Sequence, residues 1–388
     1  MNEKTKQPLS FMGVFAIMLA SSLTIMVWEA LTSALPAIGR HYAMTFSTSW
    51  LITVPSLGVV CGALGTGKVL NRFGAYKTIC VGLFFYALFG VSGAVMPNIG
   101  VELLDRFLLG MACAAVMTSS TSLISEFYHG QARLKMIAVQ GMAIEMGGVI
   151  FLSLGGVLTE IAWNASYLIY LIAAAALILI LAFVPKQAPA YDGEEIDQTK
   201  ALKSGQSGIS VVLALAFISM LTFFTAIVSL PVYIQTDMGY SAAFSGIYLA
   251  SISVVAVIFA GFMPKFVGRT SAKCSLTVSA VCFTVGHLLY FAALNHHGLL
   301  FAAAPIMGIG FGFSTPLINN LTVERSTLET KARNLSGYSI AQFSGQFVSS
   351  LVVSAVAGSR TYLLAAALGL VNLAVAGLVF DRERKKLL

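Results

Sequence analysis

Charge is what this sequence has least of: only 10% of its 388 residues are Asp, Glu, Lys or Arg, whereas 57% are hydrophobic. Mean hydropathy is +0.86. A water-exposed globular surface cannot be built from so few charges, so the bilayer is the main solvent. Period-two alternation in ten-residue units is missing, which excludes an outer-membrane barrel and leaves helices. Cysteine is sparse as well. Cys61, Cys80, Cys113, Cys274 and Cys282 form no CxxC pair and no cluster with histidine, so they read as small buried hydrophobes and not as metal ligands. There is no Gly-x4-Gly-Lys-Ser/Thr loop and no soluble segment able to hold a nucleotide, which argues against an ATP-driven pump. No HExxH or GxSxG lies near a span end, so no enzyme activity, metal or other cofactor is expected. The net charge of +7 comes from basic residues scattered singly, not from a stripe, which removes nucleic acid as a partner.

What is present is a series of apolar stretches, each long enough to cross ~30 Å of hydrocarbon. They run near 11–35, 50–69, 77–95, 101–124, 136–159 and 163–184, then 209–234, 242–263, 275–294, 299–321, 335–357 and 361–380. Placing both termini in the cytoplasm puts all of the 23 Lys and Arg residues except Arg40, Arg106 and Arg360 on the inner side. That asymmetry sets the orientation of a multi-pass protein of the cytoplasmic membrane. The first span lacks a cleavage-site pattern and is expected to stay as a helix.

The one long polar stretch, 186–208, carries Pro189, Gly193, Asp192, Glu194, Glu195 and Asp197 and reads as a solvated cytoplasmic linker. It divides the chain into an N-terminal six-helix bundle over 1–185 and a C-terminal one over 209–388. The halves echo one another: Gly67 and Gly74 bracket the loop after span two as Gly261 and Gly268 bracket the loop after span eight. A duplicated six-helix unit of this kind suits a carrier in which one half rocks against the other around a midplane site.

With these residues in view, the chain resembles the major facilitator superfamily, and within it the proton-driven exporters of drugs and metabolites. Gly67-Lys68-Val69-Leu70-Asn71-Arg72-Phe73-Gly74-Ala75-Tyr76-Lys77 resembles that family's motif A, with Asn71 where the family has aspartate. Leu103-Leu104-Asp105-Arg106-Phe107-Leu108-Leu109-Gly110 resembles motif B, with Leu109 replacing glutamine. Gly147, Gly155 and Gly156 fit the antiporter motif C, whose Gly-Pro pair is Phe151-Leu152 here. The resemblance implies an all-α membrane protein, twelve transmembrane helices in two pseudo-symmetric six-helix bundles. It also implies that Asn71, Arg72, Gly74 and Lys77 form a cytoplasmic gate with Glu126 at the inner end of span four.

Ionisable side chains at membrane depth are the sharpest functional clue, because each costs several kcal/mol unless it has a partner or a wet cavity. Glu29, Asp105, Arg106, Glu145 and His287 qualify. Glu29 and Arg106 lie at comparable depth in the outer half, which predicts a charge pair, either coupled to protonation of Glu29 or permanently structural. Glu145 lies near the midplane, where it is the better proton carrier on depth or else a permanently neutral, hydrogen-bonded group. Asp105 precedes Arg106 directly, so the two should point about 100° apart. His287 is read as a hydrogen-bond donor to a neighbour before any transport role.

Cavity lining is expected from Trp28, Met142, Met146, Phe223, Phe224, Tyr233, Asn319, Asn320, Gln342 and Gln346. Gly141, Gly148 and Gly155, with Gly147 and Gly156, should give span five a smooth packing face. The expected function is export of a small, partly apolar solute (a drug, toxic metabolite or metallophore) by proton antiport with rocker-switch alternating access. The alternatives are a proton-coupled importer or facilitator of an organic anion or sugar, and a lipid flippase. The expected partners are a small-molecule substrate, protons and the bilayer, in a monomer.

Overall fold

A computed structural model describes residues 9–186, 208–356 and 358–384. The linker expected over 186–208, with its acidic residues, lies almost wholly outside them. Among the described residues there are helices and turns and no strand. The chain runs α1 (Phe11–Thr32), a short α2 (Leu35–His41), α3 (Trp50–Phe73), α4 (Ala75–Ser92), α5 (Ile99–Phe127), α6 (Gly130–Ile161) and α7 (Leu171–Phe183). It continues as α8 (Ile209–Val232), α9 (Ala242–Arg269), α10 (Ala272–Ala293), α11 (Leu299–Glu324), α12 (Leu328–Ala355) and α13 (Arg360–Arg384). All but α2 span the membrane. These helices form the two six-helix bundles.

The helix starts follow from local chemistry. First-turn N–H groups lack intrahelical partners, and side chains at the membrane faces supply them. Ser10 accepts from Gly13, Asn98 from Val101, Ser241 from Phe244 and Ser271 from Cys274, each at 3.1 Å. Thr327 and Thr330 make a reciprocal capping box at the start of α12.

Eleven of the helices are apolar and long enough to cross a membrane by composition alone. The twelfth, α12, is too polar for that, because its serines and glutamines face neighbouring helices and not lipid. It packs against α8 of its own bundle and α3 of the other. Lipid-facing surface is supplied by residues such as Phe11, Leu64, Ile161, Ile258 and Phe301, all exposed. The cysteines depart from expectation: Cys113 alone is buried, and Cys61 is exposed.

Glycine decides how closely α6 approaches its neighbours. Gly147 lies on Ser22, Gly148 on Glu29 and Gly155 on the Ala30 carbonyl of α1, while Gly156 meets Ala242, Ala243 and Gly246 of α9. Gly141, the remaining member of the seven-residue series, faces open space and takes no part. A side chain on Gly155 would strike backbone, so Gly155→Leu should cost about 1–3 kcal/mol, the usual range for overpacking. Gly141→Leu should be near neutral. Thermal unfolding of the two variants in detergent would check this, and equal losses would show that close contact with α1 does not set the cost.

Candidate functional site

The one arginine at membrane depth is fully enclosed. On α5, Glu102 and Arg106 stand one turn apart on one face, and Arg106 Nε lies 3.1 Å from Glu102 Oε1. Arg106 Nη2 donates to Asp105 Oδ2 at 2.7 Å and to the Phe89 carbonyl at 2.6 Å. Its guanidinium lies over the rings of Tyr167 and Tyr170, 5.2 and 5.3 Å from their centroids. Tyr167 donates to Glu102 at 2.9 Å and Ser92 to Asp105 at 2.8 Å. Gly93 at the end of α4 makes the room, since a Cβ there would sit 2.6 Å from Arg106 Nη2.

Two expectations fail here. Glu29 does not pair with Arg106: equal depth put them level, but they lie on different faces of the bundle and Arg106 has two nearer carboxylates. Asp105 and Arg106, expected to diverge, are bonded to each other, because the long arginine side chain folds back past its own Cα. Sequence reasoning also missed Glu102, although Glu before Arg at i,i+4 is a readable signal.

Glu29 instead packs against α6. It is almost wholly buried, its Oε2 has no hydrogen-bond partner, and a Cβ on Gly148 would sit 2.8 Å from that oxygen. Glu145, three residues before Gly148, is half-buried and close enough to act on Glu29 electrostatically. Among the described residues, the α1–α6 crossing therefore brings two carboxylates together with no ion-pair partner. Trp28, beside Glu29, faces the other bundle, with ring centroids 6.2 Å from Phe224 and 5.8 Å from Phe343.

Phe343 also lines a cavity of about 880 Å³ that opens on the side of the membrane where α1 begins and α13 ends. Its wall carries the hydroxyls of Thr118, Thr121, Ser122 and Ser125 from α5 and of Ser336 and Ser339 from α12. Asn71, Gly74, Glu126 and Arg133 line it as well. Gln140, unnoticed in the sequence, ties Thr121 to Ser21 by hydrogen bonds of 3.2 and 3.0 Å.

On the opposite side the bundles are clamped. Trp50 donates to Ser354 at 3.1 Å, Thr53 and Ser350 hydroxyls are 2.5 Å apart, and Ser56 donates to Gln346 at 2.8 Å. Gln235 donates to the Ser33 carbonyl at 2.8 Å, and the Ala243 N–H to Glu160 at 3.0 Å. Among the described residues, hydrogen bonds between the bundles lie on this distal side. A vestibule of about 830 Å³ outside the clamp is lined by Arg40, Phe46, Tyr233 and Asp237 among others.

The remaining expected positions divide. Met142 and Met146 do not line a cavity: they are exposed on a stripe continued by Ile150, Leu154, Val157 and Ile161, which faces lipid. Phe223 turns into the C-terminal bundle, stacked on Phe311 at 4.1 Å. Tyr233 donates to the Tyr290 carbonyl at 2.9 Å and belongs to the distal vestibule. Asn319 and Asn320 are exposed near the terminal-side end of α11, where Asn320 donates to Glu324 at 2.7 Å. Gln342 is half-buried, and Gln346 belongs to the clamp. Arg72 lies over the Phe73 ring at 5.4 Å and makes no ion pair with Glu126, while Lys77 borders a separate groove facing lipid. His287 is fully buried, with Nδ1 2.7 Å from the Phe283 carbonyl.

Known proteins share both sequence and fold with this chain. The puromycin resistance protein pur8 of Streptomyces alboniger is 29% identical over 177 residues, 45% of this chain and 35% of that protein. The galactose-proton symporter of Escherichia coli K12 is 26% identical over 145 residues, 37% of this chain and 31% of its own length. The chain thus spans about a third of these curated relatives. A longer match is the uncharacterized MFS-type transporter EfpA of Mycobacterium tuberculosis, 23% identical over 346 residues, 72% of this chain and 64% of that one. Among solved structures, a bacterial homologue of the lysosomal transporter Spinster, inward-facing and unoccupied, superposes with a TM-score of 0.78 at 13% identity, covering 95% and 96% of the two chains. A D-xylose-proton symporter gives 0.76 at 14% identity, covering 95% and 97%. The Major Facilitator Superfamily model matches residues 17–350 and 212–387, and the chain, a multi-pass membrane protein, belongs to that family of transporters.

Proposed function

We propose that this protein exports a small, partly apolar solute across the cytoplasmic membrane in exchange for protons, with both termini in the cytoplasm. The observation that carries this reading is the pair of uncompensated carboxylates, Glu29 and Glu145, at the α1–α6 crossing. Unpaired carboxyl groups at membrane depth are costly as anions, so they take up and release protons as their surroundings become dry or wet. Arg106, by contrast, is ion-paired with Glu102 and Asp105 and fully buried, which weighs against the organic-anion alternative.

With termini inside, the open cavity faces the cytoplasm and the clamp closes the outer side. Solute enters among the hydroxyls below Phe343 and Trp28. Parting of the clamp then releases it outward while the carboxylates collect a proton from the wetter side. Asn71, Arg72, Gly74, Lys77 and Glu126 close the inner side in that second state; their separation here suits a gate that is open.

A second reading, proton-coupled sugar uptake, draws on the six hydroxyls of the cavity wall, which suit a polyol, and on the match to the galactose-proton symporter. Substrate class separates the two. Proteoliposomes with an imposed pH gradient should expel or accumulate a lipophilic dye on the first reading, and counter-flow radiolabelled hexose on the second.

Glu29→Gln should lower gradient-driven transport by about a hundredfold or more, the low end of the scale for losing a proton-transfer group, while substrate binding persists. Glu145→Gln should shift the pH dependence of transport. Full activity across a pH series in both variants would remove the carboxylates from the mechanism. For the clamp, Thr53→Cys with Ser350→Cys should form a disulfide that arrests transport, and reductant should restore it. Undiminished turnover in the oxidised double variant would show that α3 and α12 do not part on the distal side.

A further inference from the structure

A groove of about 510 Å³ opens on the lipid-facing flank of the N-terminal bundle and shares no lining residue with the 880 Å³ cavity. It lies between α3 and α4 over α5, and no helix of the C-terminal bundle contributes to it. Small residues, Gly82, Ala112 and Ala115, make its floor. Val69, Phe73, Val81, Phe85 and Phe89 wall it, with the last two rings stacked at 5.7 Å. Small side chains deepen the floor because α4 and α5 approach closely: a Cβ on Gly82 would sit 3.1 Å from Val116.

The groove has a polar end and an apolar end. From Lys77 to Phe89, α4 rises about 18 Å, close to one leaflet of a hydrocarbon core ~30 Å thick. Lys77 stands at the membrane face where α1 begins and α13 ends. It is exposed and, among the described residues, has no ion-pair partner. Beyond it the lining is almost entirely hydrocarbon, Thr78 excepted, and Val81 and Phe85 remain exposed. A cation at headgroup depth above a leaflet-deep apolar slot matches an amphiphile with an anionic head and a long chain.

We propose that this groove binds an anionic glycerophospholipid of the terminal-side leaflet, one acyl chain lying over Gly82, Ala112 and Ala115 and the headgroup phosphate against Lys77. The inference depends on neither the direction nor the coupling of transport. Lys77 thereby gains a role beyond any gate: it anchors a lipid beside the loop between α3 and α4.

Native mass spectrometry of the full chain released from detergent, titrated with phosphatidylglycerol or with phosphatidylcholine of the same chains, tests it. Phosphatidylglycerol should be preferred by about fivefold, the scale of one lysine acting on an anionic lipid. Lys77→Gln should abolish the preference and Lys77→Arg should keep it. Ala115→Leu, which fills the slot from its half-exposed side, should lower retention of both lipids. Glycerol phosphate, lacking chains, should not be retained. Equal retention of the two lipids by the wild type, a preference that survives Lys77→Gln, unchanged retention in a folded Ala115→Leu variant, or equal retention of glycerol phosphate would each overturn the assignment.

Discussion

A charge held in hydrocarbon must be neutralised or wetted, and in this protein that constraint is met most completely around Arg106. Two carboxylates, a pair of backbone carbonyls at the end of α4 and two tyrosine faces surround one guanidinium. Deleting one partner of such a set leaves the others stranded, at a cost of about 3–5 kcal/mol. The cluster therefore locks α4, α5 and the turn preceding α7 together at the distal end of the N-terminal bundle. Arg106 has two ion pairs, with Glu102 and Asp105, and among the described residues Glu29 and Glu145 have none.

The same constraint explains what could be read from the sequence and what could not. Depth along a helix is a linear quantity, so hydropathy placed the twelve spans and the rarity of charge picked out Glu29, Arg106 and Glu145. Azimuth is not linear. Whether Glu29 faces Arg106 or Gly148 depends on how α1 is rotated against α5 and α6, and spacing within one helix says nothing of that. Met142 and Met146 went astray for this reason: they lie at the right depth but turn to lipid, while Gly147 and Gly148 on the opposite side of α6 meet α1. Glu102 was legible by its spacing from Arg106, a helical i,i+4 pair, but depth alone did not single it out. Gln140 carried no such signal, because its value lies in joining Ser21 and Thr121 from two other helices.

Polar α12 shows how one helix serves both ends of the passage. Ser336, Ser339 and Phe343 line the open cavity, and Gln346, Ser350 and Ser354 continue the same helix into the clamp. Its partner α3 repeats the arrangement in reverse, with Trp50, Thr53 and Ser56 in the clamp and Val59, Ala63 and Asn71 on the cavity wall. Each clamp bond contributes only about 0.5–1.5 kcal/mol net, so the three along α3 and α12 hold the closed side by a few kcal/mol. That is the scale on which a ligand binding one conformation better than another can shift a two-state equilibrium. A charge pair in the same place would hold the bundles too firmly, and bare apolar contact would give no register. On the proposed cycle, a solute that draws α3 and α12 together at the cavity would splay them at the clamp, with Pro55 inside α3 a place where that helix can bend. Substrate contact and gate opening then lie on the same two helices.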